Sequence, residues 1–177
     1  MQYKDLLRGT VLLIGVEATG LAAVSALTIH SAADDVLAIL ALVWWAAGFS
    51  LGIHFGSPER AADALRDPLS RARTSTTLPA EPTTRTALAR LWPIALFAIV
   101  AGALGVIWPQ VPAIATGWAI LIALAWRNRE AAVTAIEDRD GVCFYVEQGS
   151  AFEPVKLIRT PGLRRDRPPS AHPPPPV

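Results

Sequence analysis

The sequence predicts an all-α membrane protein with four transmembrane helices, followed by a small β-hairpin on the cytoplasmic side. The first observation behind this prediction is four long apolar stretches in a chain of 177 residues that is 52% hydrophobic. About 20 apolar residues in a helix cross the hydrocarbon core of a bilayer, and these stretches lack the polar stripe of a soluble helix. The stretches are Thr10–His30, Val36–Phe55, Leu91–Trp108 and Val111–Trp126.

The second observation is the distribution of the 16 Lys and Arg residues, which predicts how the helices are oriented. None of these residues lies in the short connections at 31–35 and 109–110. Segments beside a span that carry Lys and Arg resist translocation across the membrane. The pattern therefore predicts two antiparallel hairpins in the cell (inner) membrane, with both termini and the long middle segment in the cytoplasm.

Shifts in composition divide the chain into successive segments. They are a first transmembrane hairpin (1–56), a cytoplasmic loop (57–90), a second transmembrane hairpin (91–126), a cytoplasmic helical extension with the β-hairpin (127–160) and a proline-rich tail (161–177). The first apolar stretch begins like a signal peptide, but its length and Glu17 in its middle favour a retained helix. The tail has no apolar pattern, which predicts disorder or polyproline II.

The cytoplasmic loop predicts a short helix followed by a flexible linker. Ser57 is a good capping residue and Pro58 suits the first helical position, so a helix is expected over residues 58–66. Pro68 should stop it. From Thr74 to Thr86 the chain is polar, contains prolines and shows no period, which is typical of a linker.

The segment after the fourth span predicts a helical extension and then a β-hairpin. No helix-breaking residue follows the span until Gly141, so the helix should continue to Glu137 or Asp138, with the acidic residues at its end in solvent. The β-branched and aromatic residues of Val142–Glu147 and Pro154–Thr160 predict two strands. Two strands alone are marginal in water, so this hairpin should rest on the bundle, on lipid or on a partner.

Glu17 is the one ionisable residue well inside a predicted span, so it is the centre of a candidate intramembrane polar site. Thr10 and Thr28 share its helical face, and Trp44 and Trp45 of the second span lie at its depth. This face should point into the bundle, where an indole needs an acceptor such as Glu17. Glu17 is then either a proton or cation site, or a protonated carboxyl that joins helices through hydrogen bonds.

A face of small residues on the third span is a candidate packing surface. Its members repeat at intervals of three and four residues and are Ala98, Ala101, Gly102 and Gly105. Such a face lets two helix backbones approach closely. It predicts either a homodimer interface or, as the favoured interpretation, contact with the chain's own neighbouring helices.

Catalytic and metal-binding signatures are absent from the sequence, which contains no nucleophile elbow, Walker loop or zinc-protease motif. Cys143 is the single cysteine and should be a free thiol. No cluster of His, Asp and Glu has the spacing of metal ligands, so we expect neither a metal nor a cofactor. The basic clusters are too small to predict binding to nucleic acid.

These observations lead to two functional hypotheses of different classes. The favoured one is a non-enzymatic accessory, assembly or scaffolding subunit that packs within the lipid bilayer against a larger membrane-protein partner or further copies of itself. The alternative is a small transporter or channel, linked to protons or cations, that uses Glu17.

Overall fold

The computed structural model describes residues 1–75, 83–147, 149 and 151–161. Helices make up most of this part of the chain. They are α1 (Tyr3–Ala32), α2 (Asp35–Phe55), α3 (Pro58–Ser70), α4 (Thr83–Leu104), α5 (Gln110–Trp126) and α6 (Arg129–Asp140). The strands are β1 (Arg73–Thr74), β2 (Val142–Val146) and β3 (Leu157–Pro161).

Within the described residues, four helices are long and apolar enough to cross a membrane, which confirms the predicted number of candidate spans. They are Tyr3–Ala32, Asp35–Phe55, Ala87–Leu104 and Gln110–Asp140, the last of which joins α5 to α6. The predicted limits of the third span were wrong, because α4 starts well before Leu91 and ends before Trp108. The residues that precede Leu91 include Ala, Leu and Arg, which favour helix, and Pro93 is accommodated inside the helix.

α5 is the central helix of the bundle, because its contacts with α1 and with α2 are the most extensive between any two elements. Gly48 of α2 lies against Gly117 of α5, and Gly52 lies against Leu121. α2 and α5 therefore run in the same direction. By contrast, α1 and α2 share few contacts although they are adjacent in the sequence.

The helical extension after the fourth span is interrupted at Arg127 and Asn128, which separate α5 from α6 while keeping helical dihedral angles. The side-chain amide of Asn128 donates a hydrogen bond to the carbonyl of Gly56 at the end of α2. This bond ties the junction of α5 and α6 to the second span. Gly141 ends α6 with φ +63°, a left-handed conformation that glycine adopts without steric cost.

Pro68 does not stop α3, and the predicted end of this helix at residue 66 was therefore wrong. The helix continues to Ser70 with Pro68 inside it. The buried residues Ala61, Leu65 and Leu69 follow one another at intervals of four residues on one face. We attribute the longer helix to the burial of Leu69, which offsets the backbone hydrogen bond that proline removes.

The two predicted strands form an antiparallel pair, in which Val142 lies opposite Pro161 and Val146 opposite Leu157. The sheet also has a third strand that was not predicted. β1 runs parallel to β3 with Arg73 opposite Ile158, so the strand order is β1-β3-β2. Pairing with β1 satisfies backbone groups that would otherwise be exposed along the edge of β3.

The predicted linker was wrong at both of its ends, because Thr74 belongs to β1 and the last residues before Ala87 belong to α4. Its middle, residues 76–82, lies outside the described residues. The first residue of the predicted disordered tail, Pro161, is the last residue of β3. The rest of the tail, residues 162–177, also lies outside the described part of the chain.

One hydrophobic core joins α1, α3, α6 and the sheet at one end of the bundle. Its buried members are Tyr3, Leu6, Leu7, Leu65, Leu69, Val133, Val142, Phe144, Val146 and Leu157. The backbone N–H of Val146 donates to the carbonyl of Met1 at 3.0 Å, and Gln2 forms a β-bridge with Tyr145. We call this region, where the first residues of the chain meet the sheet, the sheet end of the bundle.

Candidate functional site

Glu17 lines a cavity between α1, α4 and α5, with its side chain partly buried. Its Oε1 atom is inaccessible to solvent and has no hydrogen-bond partner among the described residues. The carboxyl group therefore faces the bundle, and an uncompensated polar oxygen at this depth is costly.

The two threonines on the face of Glu17 form no contact with its carboxyl group. Thr10 is buried, and its hydroxyl donates to the carbonyl of Leu6 at 2.8 Å. The hydroxyl of Thr28 donates to the carbonyl of Val24 at 2.9 Å. Both hydroxyls are thus satisfied within α1, as is common for threonine in apolar helices.

The two mid-span tryptophans have their hydrogen-bond acceptors in the backbone of α5 and not in Glu17. Trp44 Nε1 donates to the carbonyl of Ile114 at 3.1 Å, and Trp45 Nε1 donates to that of Ala113 at 2.9 Å. A helix carbonyl has a second lone pair that can accept such a bond. These bonds join α2 to α5 and leave Glu17 outside the network.

A row of glycines on α2, which the sequence analysis overlooked, makes the close contact between α2 and α5. Gly48, Gly52 and Gly56 recur every four residues on one face. A Cβ atom on Gly48 would lie 2.6 Å from the carbonyl oxygen of Gly117, and one on Gly52 would lie 2.8 Å from the Cβ of Leu124. The signal was available in the sequence as a repeated small-xxx-small spacing.

Gly117 of α5 has a second role, because a Cβ atom there would overlap the indole of Trp44. The ring of Trp44 also meets that of Trp118 edge to face, with centroids 5.8 Å apart. The absence of a side chain at Gly117 thus allows the indole to lie against α5, where it reaches the carbonyl of Ile114.

The small-residue face of α4 lies against this chain's own helices. Ala101 is buried in a cluster with Leu21 and Ala115, and Ala98 packs beside it. A Cβ atom on Gly102 would stand at 3.9 Å from Leu21, which is an ordinary van der Waals distance. Gly105 is more constrained, because its Cβ atom would come within 2.8 Å of the ring of Pro112. These contacts are all made within one chain.

The cavity beside Glu17 has a volume of about 560 Å³. Such a volume falls in the range of small-molecule sites, which are mostly apolar with a few convergent polar groups. Its walls come from α1, α4 and α5, and its polar lining includes Arg90, Arg129 and Glu153 at the sheet end. The sequence analysis missed this cavity, because hydropathy does not show which helices fail to pack closely.

Glu137 of α6 is buried at the sheet end, so the expectation that the acidic residues at the end of this helix are all in solvent was wrong. Its side chain is 5% exposed, its Oε1 accepts the N–H of Phe144 at 2.9 Å, and its Oε2 pairs with Lys4 Nζ at 3.3 Å. One turn earlier lies the fully buried Val133. This four-residue spacing placed Glu137 on the apolar face, which was a usable signal.

Cys143 of β2 is a free thiol next to this ion pair. Burial raises the pKa of the thiol, the negative charge of Glu137 raises it further, and Lys4 opposes the shift. A thiol with a raised pKa carries less of the reactive thiolate at neutral pH. Among the described residues no group of three His, Cys, Asp or Glu side chains could hold a metal ion.

No protein-family model, curated protein or solved structure matches this chain.

Proposed function

We propose that the chain is a multi-pass protein of the cell membrane with its sheet end in the cytoplasm, and that it acts as a non-enzymatic accessory, assembly or scaffolding subunit. The orientation is supported by the charge distribution, since the connection from α1 to α2 contains no Lys or Arg while the sheet end contains many. The hydrogen bond between Val146 and Met1 supports the same side for the start of the chain and the sheet.

The observation that carries the subunit proposal is the shared core of the sheet end. Leu6 and Leu7 of α1 pack with Leu65 of α3, Val133 of α6 and Phe144 of β2. A three-stranded sheet on such a core has a fixed orientation relative to the bundle. A subunit that holds a partner at a defined distance and angle from the bilayer requires such a rigid platform.

The outward faces of the bundle offer two kinds of contact. α2 and α4 expose large apolar side chains such as Val43 and Ile99. Exposed apolar surface of this extent suits lipid, and a partner helix can replace lipid on it through close packing. The proposal therefore predicts that at least one face contacts another protein in native membranes.

Site-specific photo-crosslinking in native membranes tests this proposal. A crosslinking side chain would replace Val43 on α2, Ile99 on α4 or the exposed Lys156 just before β3, one at a time. Each of these positions is then a control for the other two. We expect one position to yield a single protein adduct in a fixed ratio to the tagged chain after purification in mild detergent. A monomer crosslinked only to lipid at all three positions would exclude the subunit role.

A transporter or channel linked to protons or cations is the second candidate, and one observation favours it. Glu17 Oε1 is buried beside a cavity and has no partner in the described part of the chain, which is the environment of many functional intramembrane carboxyls. Against it, the hydroxyls of Thr10 and Thr28 bond within α1 and do not extend a polar path from Glu17.

Flux measurements on proteoliposomes separate this candidate from the first. A transporter should acidify the vesicle lumen or pass a cation, and both Glu17→Gln and Glu17→Ala should abolish the flux because neither side chain carries a charge. Wild-type protein that passes neither protons nor cations, or a Glu17→Gln variant with full flux, would leave Glu17 with a structural role.

A further inference from the structure

The cavity between α1, α4 and α5 has the two chemical regions of an amphiphile site. Along most of its length it is apolar, with a wall that includes Ile14, Ile94, Phe97 and Ile122. The side chain of Phe97 is 62% exposed, so this wall reaches the outer surface of the bundle, where lipid would lie. A molecule with an acyl chain could therefore enter sideways from the bilayer.

Arg90 and Arg129 give the sheet end of the cavity its positive charge. The guanidinium of Arg90 donates to the backbone carbonyls of Glu147 at 3.3 Å and Glu153 at 3.5 Å. Its Nε is buried and has no hydrogen-bond partner among the described residues. The guanidinium of Arg129 lies over the ring of Trp126, 4.3 Å from its centroid. A guanidinium held by carbonyls or by an aromatic face keeps its full charge.

Two guanidinium groups face one described carboxylate, that of Glu153, at this end of the cavity, so its net charge stays positive. None of the ion pairs among the described residues includes Arg90 or Arg129. The backbone carbonyl of Glu153 accepts from Arg90, and its Oε2 lies beside Gly149, as the Arg90 guanidinium does. Two arginines at the mouth of an apolar cavity are therefore complementary to an anionic group that carries an acyl chain.

The depth of the two regions matches a lipid in the leaflet at the sheet end. Leu91, next to Arg90, lies beside Gly9 of α1. Glu17 is about 12 Å further along α1 at a rise of about 1.5 Å per residue. The arginines thus lie at headgroup level, with Trp92 and Trp126 near them as interfacial aromatics, while the apolar wall extends toward the middle of the bilayer.

We propose that this cavity binds one anionic membrane phospholipid, whose phosphate lies between Arg90 and Arg129 and whose acyl chain lies along the apolar wall of α1, α4 and α5. Arginine pairs with a phosphate through two parallel hydrogen bonds. This inference goes beyond the subunit role and does not depend on it, because lipid binding is measured on the purified chain alone.

Native mass spectrometry of the full chain, released from detergent micelles doped with one lipid at a time, tests the proposal. We expect a single phosphatidylglycerol adduct that is about tenfold more abundant than the adduct of phosphatidylcholine with the same acyl chains. Both lipids carry a phosphate, but the two arginines repel the trimethylammonium group of phosphatidylcholine. Arg129→Gln should remove most of this preference. Arg66→Gln is the matched control for the charge, because the side chain of Arg66 is 79% exposed on α3, outside the cavity.

A second pair of variants tests the apolar wall independently of the charge and of any folding defect at Arg129. Ile94→Trp should fill the cavity and remove the lipid adduct. Ile99→Trp should retain the adduct, because the side chain of Ile99 is 68% exposed on the same helix. Equal adducts with the two phospholipids, or full binding by Ile94→Trp, would overturn the proposal.

Discussion

At the scale of single residues, Glu137 is a buried polar group that joins three elements of the sheet end. It accepts the N–H of Phe144 and pairs with Lys4, so it joins α6 to β2 and to α1. A buried N–H that loses its acceptor costs more free energy than the hydrogen bond itself contributed. Glu137 is therefore a connection among three elements and not a solvated residue.

Glu137→Ala should lower the free energy of unfolding by about 1–3 kcal/mol, because the N–H of Phe144 is left buried without an acceptor. Glu137→Gln should cost less, since its amide oxygen can still accept that bond while the pair with Lys4 is weakened. Asp138→Ala is the control, because Asp138 is exposed on the same helix. Thermal unfolding in detergent measures all three, and equal stability of Glu137→Ala and Asp138→Ala would contradict the assignment.

The thiol of Cys143 reports on the same cluster. Because burial and Glu137 raise its pKa, less thiolate is present at any given pH, and alkylation should be slower than that of a free cysteine. The increase of the rate with pH should therefore appear at higher pH than for free cysteine. Glu137→Gln removes a negative charge beside the thiol and should accelerate the reaction at neutral pH.

The rate of maleimide labelling of folded protein as a function of pH checks this prediction. Asp138→Asn is the matched control, since Asp138 contributes less than Glu137 to the shift of the thiol pKa. If Cys143 reacted as fast as free cysteine at pH 7, the proposed burial of the thiol beside Glu137 would be wrong.

At the scale of elements, the sequence predicted the membrane-spanning helices better than it predicted elements whose ends depend on tertiary contacts. Long apolar runs identify spans because a bilayer leaves few alternatives to helix. The continuation of α3 past Pro68 and the strand β1 were not predicted, because both depend on contacts with residues that are distant in the sequence. Leu69 gains burial by extending α3, and Arg73–Thr74 pairs with a strand that comes much later in the chain.

The candidate site shows the same limit. Hydropathy indicated that Glu17 faces the bundle, yet it could not show that the hydroxyl of Thr10 bonds within its own helix or that the indole of Trp44 bonds to α5. The close contact made by Gly48, Gly52 and Gly56 could have been predicted from the sequence, because contact between helix backbones requires small residues at every turn. The cavity could not have been predicted from the sequence, because it depends on where the helices separate.

The contact of α2 with α5 predicts that Gly48→Ala destabilises the bundle. Its Cβ atom would come within 2.6 Å of the carbonyl oxygen of Gly117, so the helices must separate, at a cost of about 1–3 kcal/mol. Gly20→Ala is the control, because no atom lies within 4 Å of a Cβ atom there. Unfolding titrations in detergent should show a lower free energy of unfolding for Gly48→Ala and no decrease for Gly20→Ala. The opposite order would refute the close contact.

At the scale of the whole molecule, the central question is which side of the membrane holds the sheet end. The charge distribution argues for the cytoplasm, because all 16 Lys and Arg residues lie outside the two short connections at the other end. Cys143 is a natural reporter for the sheet end, and Ala32, exposed beside the turn after α1, is a suitable position for an introduced cysteine.

Labelling of intact cells with a membrane-impermeant maleimide should therefore distinguish the two ends. In a Cys143→Ser background, Ala32→Cys should react from outside, because the turn carries Asp34 and Asp35 but no cation that would retain it in the cytoplasm. The unmodified chain, whose only cysteine is Cys143, should react only after the membrane is permeabilised and at a pH high enough to form the thiolate. If Ala32→Cys were labelled only after permeabilisation, the proposed topology would be wrong. The sheet and the arginine-lined mouth of the cavity would then lie on the outer side of the membrane.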